Sequence, residues 1–326
     1  MTDTDETTET DPPAAVSGAG DGDGGWFVGL AGDADPEGDA ERVQTGSATA
    51  PRDWPSIAVD EGVVDSRATY YDRLHAATTA ATRSAVRERE RADDQQLVHA
   101  VRAMDDCEQL ANELAERVAA WAGSRFPSSS PGIAGARALA DEAQTDEAQT
   151  DELDRRVVSL ATRVAELADE RDALETTIER TAPAVAPNLA AMAGATLAAR
   201  LIALAGGLES LAKKPAGTVQ VLGAEDALFA HLAGRAPSPK HGVIYTHEFV
   251  RGTRPDDRGS AARALAGKLA LAARVDHYAG TYRASLHDDL RERMATIRAR
   301  ADGNGETDGT DGTDGADGET RGGNDA

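Results

Sequence analysis

ARLIALAGGLESLAKKPAGTVQVLGAEDALF (Ala199–Phe229), followed by PKHGVIY (Pro239–Tyr245) and RGSAARALAGKLALAARVD (Arg258–Asp276), is the stretch on which the reading of this chain turns. Its apolar and small residues recur at three- and four-residue spacing, which is the period of a helix with one buried face. Gly206-Gly207, Pro215-Ala216-Gly217 and Gly223 interrupt that pattern, so a set of short helices is expected. Leu189 to Ala212 is apolar enough to resemble a membrane span. Arg200 falls in its middle and Glu209 near its end, and a charge at mid-depth is costly, so buried helices of a soluble bundle are the better reading.

Charge separates the same stretch from its surroundings. The protein carries 34 Lys+Arg against 57 Asp+Glu, a formal −23. Between Pro187 and Gly280 the balance reverses, with eleven positives against seven negatives, and all four lysines of the chain (Lys213, Lys214, Lys240, Lys268) lie there. Such an island is either a phosphate-facing surface or ordinary surface that lacks the acidic excess. Outside it, the acidic surface and the preference for arginine over lysine read like the solvated surface of a halophile's protein.

Working toward the N-terminus, two helices of heptad pattern precede the island. Leu97, Val101, Met104, Cys107, Ala111, Leu114, Val118 and Trp121 step by four and three; so do Leu153, Val157, Leu160, Val164, Leu167, Leu174 and Ile178, with Arg171 as the only polar insertion. An antiparallel coiled-coil hairpin over 86–182 follows, with Pro183 and Pro187 ending its second helix. Residues 126–150, with their Pro/Ser/Gly run and the duplicated DEAQT at Asp141 and Asp146, are expected to be a disordered linker. Leu153, Val157, Leu160, Val164, Leu167 and Leu174 form the expected seam between two copies, because an isolated hairpin would leave apolar residues wet. The other reading is an intramolecular hairpin with no dimer. Asn188 is placed to cap the next helix.

Tyr70 to Arg91 reads as a helix, and Cys107 as a buried small apolar residue. Trp26–Leu30 reads as a short strand and Trp54–Val59 as another strand or turn, so 25–85 is expected to be a small α/β region whose tryptophans pack internally. Residues 1–24 and 301–326, acidic and nearly free of apolar side chains, are expected to be disordered. The acidic start shows no signal peptide, which points to the cytoplasm and no membrane.

The quoted phrases, with APNL at Ala186–Leu189, resemble the Nop domain of archaeal box C/D ribonucleoprotein scaffolds and their nucleolar relatives. AMDDCEQLANELAERVAAWAGSRFP (Ala103–Pro127) is similar to the first coiled-coil helix of that family. The resemblance implies a mainly α protein: a Nop domain over 183–300 that grips a guide RNA together with a kink-turn-binding protein, a hairpin that forms a homodimer, and an N-terminal region that docks fibrillarin. The shortness of 25–85 suggests a reduced version of that region. S-adenosylmethionine would belong to fibrillarin, and this chain would hold no cofactor. The RNA-facing residues implied are Lys213, Lys214, Gly223, Ala224, Glu225, Lys240, His241, Arg258 and Arg263. Asp226, Ala230 and Ser260 stand where the family usually has cations, and the family's lysine-rich tail is replaced by TDGTDGADGE.

Catalysis by this chain is not indicated. There is no P-loop, no dinucleotide fingerprint and no nucleophile elbow, and His231, His241 and His247 match no zinc spacing. Tyr245 and Phe229 read as core. Two functions remain. One is an RNA-binding scaffold that positions fibrillarin for guide-directed ribose 2′-O-methylation. The alternative is a protein-only coiled-coil adaptor whose Nop-like domain has lost RNA binding.

Overall fold

In the computed structural model, residues 25–27, 35–46, 50–145 and 151–305 are described, and they form two compact units, Met1–Glu90 and Arg91–Ala326. The mainly α expectation holds, and among the described residues there is no strand.

The first unit contains α1 (Pro36–Thr45), α2 (Trp54–Asp60) and α3 (Arg67–Arg91). Trp54–Val59, expected to be a strand or turn, is helical. Asp53 precedes a proline in the first turn, a helix-start pattern, and accepts the Ser56 hydroxyl at 2.8 Å. Trp26 and Phe27 form a turn, and 28–30 lie outside the described residues. The region expected to be α/β therefore holds helices, turns and bends and no strand among its described residues. The tryptophans pack internally, as expected. Trp26 Nε1 donates to the Tyr70 hydroxyl at 3.0 Å, and Phe27 lies 6.3 Å from Trp54. Below them Arg73 donates to Asp39 at 2.6 and 3.1 Å, both side chains buried. That two-pronged geometry satisfies charges that would otherwise be costly to bury.

The second unit begins with α4 (Asp93–Ala122), α5 (Gly132–Thr145) and α6 (Glu152–Val185). Leu97, Val101 and Met104 of α4 share a core with Ile178 and Ala182 of α6, while Ala115, Val118 and Ala122 meet Val157, Ala161 and Val164, so the pair is antiparallel. The expected linker is corrected here. Gly132–Thr145 is helical, and Ala136, Leu139 and Ala140 are buried between α4 and α6. The helix period was present at Ile133, Ala136, Leu139 and Ala140, and the DEAQT duplication hid it; 146–150 lie outside the described residues. The buried seam of α4 also shifts. Ala115 and Ala122 occupy it, and Trp121 is exposed, because alanines let α5 and α6 approach closely. Cys107 is half-buried.

Beyond α6 the chain makes α7 (Pro187–Ala193), α8 (Ala195–Ala205), α9 (Leu208–Lys213), α10 (Ala216–Val221) and α11 (Glu225–Leu232). A 3-10 turn (Val243–Thr246), α12 (Glu248–Arg251), α13 (Arg258–Tyr278) and α14 (Ala284–Gly305) follow. The breaks between the short helices fall at the glycines and proline expected. Pro183 does not end α6, which runs through it, whereas Pro187 starts α7. Residues 301–305, assigned to the disordered tail, continue α14; the tails at 1–24 and beyond 305 lie outside the described residues.

Alanine-rich α13 is the axis of this unit. Ala262, Leu265, Ala266, Leu269 and Ala273 have no exposed surface, and burying each such leucine contributes about 1.5–3 kcal/mol. One further tie closes the unit. Asp276, near the end of α13, accepts the Asn188 and Leu189 backbone N–H groups at 2.9 and 2.8 Å and the Asn188 amide at 2.6 Å. Asn188 was expected to cap α7 itself. It lies one position inside the helix, and the cap comes from Asp276. Among the described residues no single helix is long and apolar enough to cross a membrane, and the α7–α8 pair, apolar enough together, is bent by 119°.

Candidate nucleic-acid interface

The site is built where the segment after α11 crosses the end of α10. Gly242 N–H donates to the Gln220 carbonyl at 2.8 Å, and Val243 N–H donates to the Leu222 carbonyl at 2.7 Å. The Gln220 side chain closes the crossing by donating to the Lys240 carbonyl at 2.7 Å. Only glycine fits at 242, where a side-chain carbon would lie 1.9 Å from the Leu222 carbonyl oxygen. Gly223 takes φ +79°, which releases the chain into α11.

This crossing brings together Lys240, His241 and Arg258. His241 stacks on Tyr245 with ring centres 4.6 Å apart, and the Arg258 guanidinium sits 5.5 Å from the centre of the same Tyr245 ring. Arg258 Nε donates to the Thr253 carbonyl at 3.1 Å, which fixes the head group. The Lys240 stem passes beside Gly259, whose absent side chain would lie 3.9 Å from Lys240 Cδ. Burial holds the His241 imidazole below its usual pKa, and Arg258 and Lys240 push the same way. His241 is therefore a neutral stacking and hydrogen-bonding group at neutral pH, and the charge belongs to Lys240 and Arg258. Among the described residues neither cation has a carboxylate partner within salt-bridge distance. Two cations beside an aromatic stack suit a phosphate and an unstacked base or ribose.

Gly223, Ala224 and Glu225 border the same crossing. Glu225 accepts the Gly223 N–H at 2.9 Å, so its carboxylate serves its own helix start. Helix α11 buries none of its residues; Phe229 is 62% exposed and Leu232 72%, so Phe229 is not core.

The other expected cations are placed differently. Lys213 and Lys214 lie at the opposite end of α10, about 9 Å away by helical rise. Lys213 is paired with Glu209 at 2.5 Å, and the chain around both lysines is pinned by Arg274, which donates to the Ala212 and Lys214 carbonyls at 3.1 and 3.2 Å. Arg200 and Lys268 are committed to Asp105 and Asp289, both at 2.9 Å or less. Arg263 points into a separate pocket beside α14. The island of positive charge is thus partly spent inside the unit, and Lys240 and Arg258 are the two cations that meet at the crossing.

The histidines outside the cluster hold the backbone. His247 Nδ1 accepts the Phe249 N–H at 3.0 Å, which leaves its Nε2–H to donate to the Met192 carbonyl at 3.1 Å. Burial pushes its pKa down, consistent with a neutral ring. Among the described residues no group of His, Cys, Asp and Glu is placed to hold a metal.

The family described as "Nop: snoRNA binding domain, fibrillarin" matches residues 92–297. The chain belongs to the Nop family. It is 49% identical over 145 residues to an uncharacterised NOP5 family protein of Methanocaldococcus jannaschii, covering 44% of this chain and 35% of that protein. It is 31% identical over 245 residues to nucleolar protein 58 of Scheffersomyces stipitis (64% of this chain, 48% of that one). To human nucleolar protein 56 it is 39% identical over 138 residues (42% and 23%). The matched part therefore spans less than half the length of each of these relatives. A chain in the crystal structure of a fibrillarin/Nop5p complex matches with 26% identity and TM-score 0.46, over 79% of this chain and 91% of that one.

Within the Nop match the crossing also contains residues that sequence reasoning passed over. Tyr245 read as core; it is half-buried and forms the platform between His241 and Arg258. Gln220 ties the two strands of chain together, and the spacing of apolar residues carries no sign of either role. Of the expected pairing seam, Val157 and Val164 are fully buried against the chain's own α4 and α5. Leu160 and Leu174 are half-buried in the same intramolecular cores, Leu167 is half-buried, and Leu153 is 49% exposed.

Proposed function

We propose that this chain is the RNA-binding scaffold of a box C/D small ribonucleoprotein. Its Nop domain grips a guide RNA jointly with a kink-turn-binding protein and positions fibrillarin for ribose 2′-O-methylation. The observation that carries the reading is the Lys240–His241–Tyr245–Arg258 cluster: two cations with no carboxylate partner among the described residues beside an aromatic stack, on a backbone crossing that glycine alone permits. The exposed Phe229 and Leu232 on the adjoining α11 supply an apolar surface for the kink-turn-binding protein. The first unit is the part assigned to fibrillarin. S-adenosylmethionine and the methyl-transfer chemistry belong to that partner, and this chain contributes positioning, in the cytoplasm. Assembly on a kink-turn RNA pre-bound by its partner protein tests the reading. A further mobility shift at high KCl is expected on adding this chain, and fibrillarin should be retained in the shifted complex. No added shift would remove the scaffold reading.

The ion pairs of Arg200, Lys213 and Lys268, and the exposed Asp226, favour the protein-only adaptor to the extent that they subtract from RNA contact. The same experiment decides, because an adaptor retains fibrillarin without binding the RNA complex. Pairing of two copies belongs to the scaffold reading and would rest on the exposed Leu110, Trp121 and Leu153 of the hairpin, since Val157 and Val164 are used internally. Light scattering should report twice the 33.9 kDa of one chain. A single-chain mass would confine the hairpin to an intramolecular role.

A further inference from the structure

Helices α13 and α14 run antiparallel in a fixed register. Lys268 Nζ meets Asp289 at 2.8 Å. Four residues back on α13 and four forward on α14 lie Ala264 and Arg293, and four further Ser260 and Ile297, and all four line one pocket. Asp257, Ser260, Arg263, Ala264, Arg293 and Ile297 line a pocket of about 270 Å³ in the groove this register creates. Ala264 and Ile297 supply its apolar lining, and Arg263, Arg293, Ser260 and Asp257 its polar one. Among the described residues neither Arg263 nor Arg293 has an ion-pair partner, although Arg291, one turn-face away on α14, pairs with Asp288 at 3.4 Å. Two arginines with no ion pair among the described residues thus line one pocket from two helices, beside the single carboxylate of Asp257.

We infer that Arg293, with Arg263 and Ser260, binds a backbone phosphodiester of the RNA that Lys240 and Arg258 engage. This rests on the RNA-binding reading above. Arg258 and Arg263 are separated by five residues of one helix, about 7.5 Å of rise, a span of two or three nucleotides. The same five residues turn the helix by about 140°, so a strand reaches both by wrapping over the start of α13, where Asp257 of the pocket adjoins Arg258. Guanidinium is weakly hydrated and matches two phosphate oxygens at once. Asp257 sets the charge class. Two arginines and one carboxylate leave the pocket with a single net positive charge, which suits the one negative charge of a phosphodiester better than the dianion of free phosphate or a phosphorylated side chain. Asp257 is itself held 3.9 Å from Arg254.

The test uses the full chain and kink-turn RNA pre-bound by its partner protein, with affinity measured over a series of KCl concentrations. Arg293→Gln should weaken binding about 5- to 20-fold and make the slope of log K against log salt shallower by about 0.7–0.9, the signature of one lost phosphate contact. Arg291→Gln, an exposed neighbour on the same helix, should change neither. Arg258→Gln reports on the underlying reading. If it weakens binding while Arg293→Gln leaves the slope unchanged, the phosphodiester site is wrong and the scaffold stands. If neither variant has an effect, both fall. Calorimetry with inorganic phosphate is the remaining arm. Saturable phosphate binding lost in Arg293→Gln, with RNA binding unaltered, would make this a free-anion site and overturn the inference.

Discussion

Replacing Asp276 with alanine will destabilise the larger unit by about 3–5 kcal/mol, read as a lower urea midpoint by far-UV circular dichroism. The carboxylate accepts two backbone N–H groups at the start of α7 and one amide hydrogen of Asn188. Asp276 is 5% exposed and Asn188 2%, so water cannot substitute when the carboxylate is removed. Asn188 then loses its anchor on one side, although its amide also donates to the Thr281 carbonyl at 2.9 Å and its carbonyl accepts the Arg283 N–H at 2.6 Å. Three buried donors would be orphaned together, which is why the expected cost exceeds that of an ordinary helix cap, about 1 kcal/mol. A loss below about 1 kcal/mol would show that the cap is dispensable or that water reaches it.

Reversing Lys240 and Arg258 together to glutamate will lower affinity for the partner-bound kink-turn RNA about 100-fold or more. Charged hydrogen bonds contribute about 1.5–3 kcal/mol each, and two are removed while two repulsions are introduced. Lys240→Glu alone should give a smaller loss with unchanged helical signal, since Lys240 is exposed and its backbone carbonyl, not its side chain, holds the crossing. Arg258→Glu also removes the contact with Tyr245, so its thermal midpoint must be measured alongside. Lys213→Glu with Lys214→Glu should cost less than the Lys240/Arg258 pair. Lys213 already shares its charge with Glu209, and only part of that charge was available to phosphate. Should the Lys213/Lys214 variant prove the more damaging, the RNA face lies at the other end of α10.

Much of the architecture is legible in the residue pattern because it is local. The breaks at Gly206-Gly207, Pro215 and Gly223 fall where short-range stereochemistry puts them, and the two long helices follow from apolar spacing. The misreadings share a cause. Trp54–Val59 is a short apolar run, which strand and helix explain equally well, and Asp53 with Pro55 decided it. Helix α5 was hidden because a duplicated acidic motif suggests a linker, while the small apolar residues ahead of it matter only once α4 and α6 provide a surface. The seam of α4 shifted for the same reason: Trp121 fits the heptad, but a third helix favours the alanines.

The site was legible in composition and not in geometry. All four lysines stand in the island, yet no local rule tells Lys240, which has no ion pair among the described residues, from Lys268, which binds Asp289 twenty-one residues away. Tyr245 looks like any half-apolar residue until Gly242 folds His241 onto it. The role of Asp276 was equally invisible, since its partners precede it by 88 and 87 residues.

That long separation bears on the order in which the molecule is made. While the chain emerges from the ribosome, α7 is complete long before the carboxylate that quiets its first turn exists. The first turn of α7 must wait for its carboxylate partner until nearly all of α13 has been synthesised. Until then no nascent chain, however long its hairpin, can complete the buried network that joins the first turn of α7 to the far end of α13.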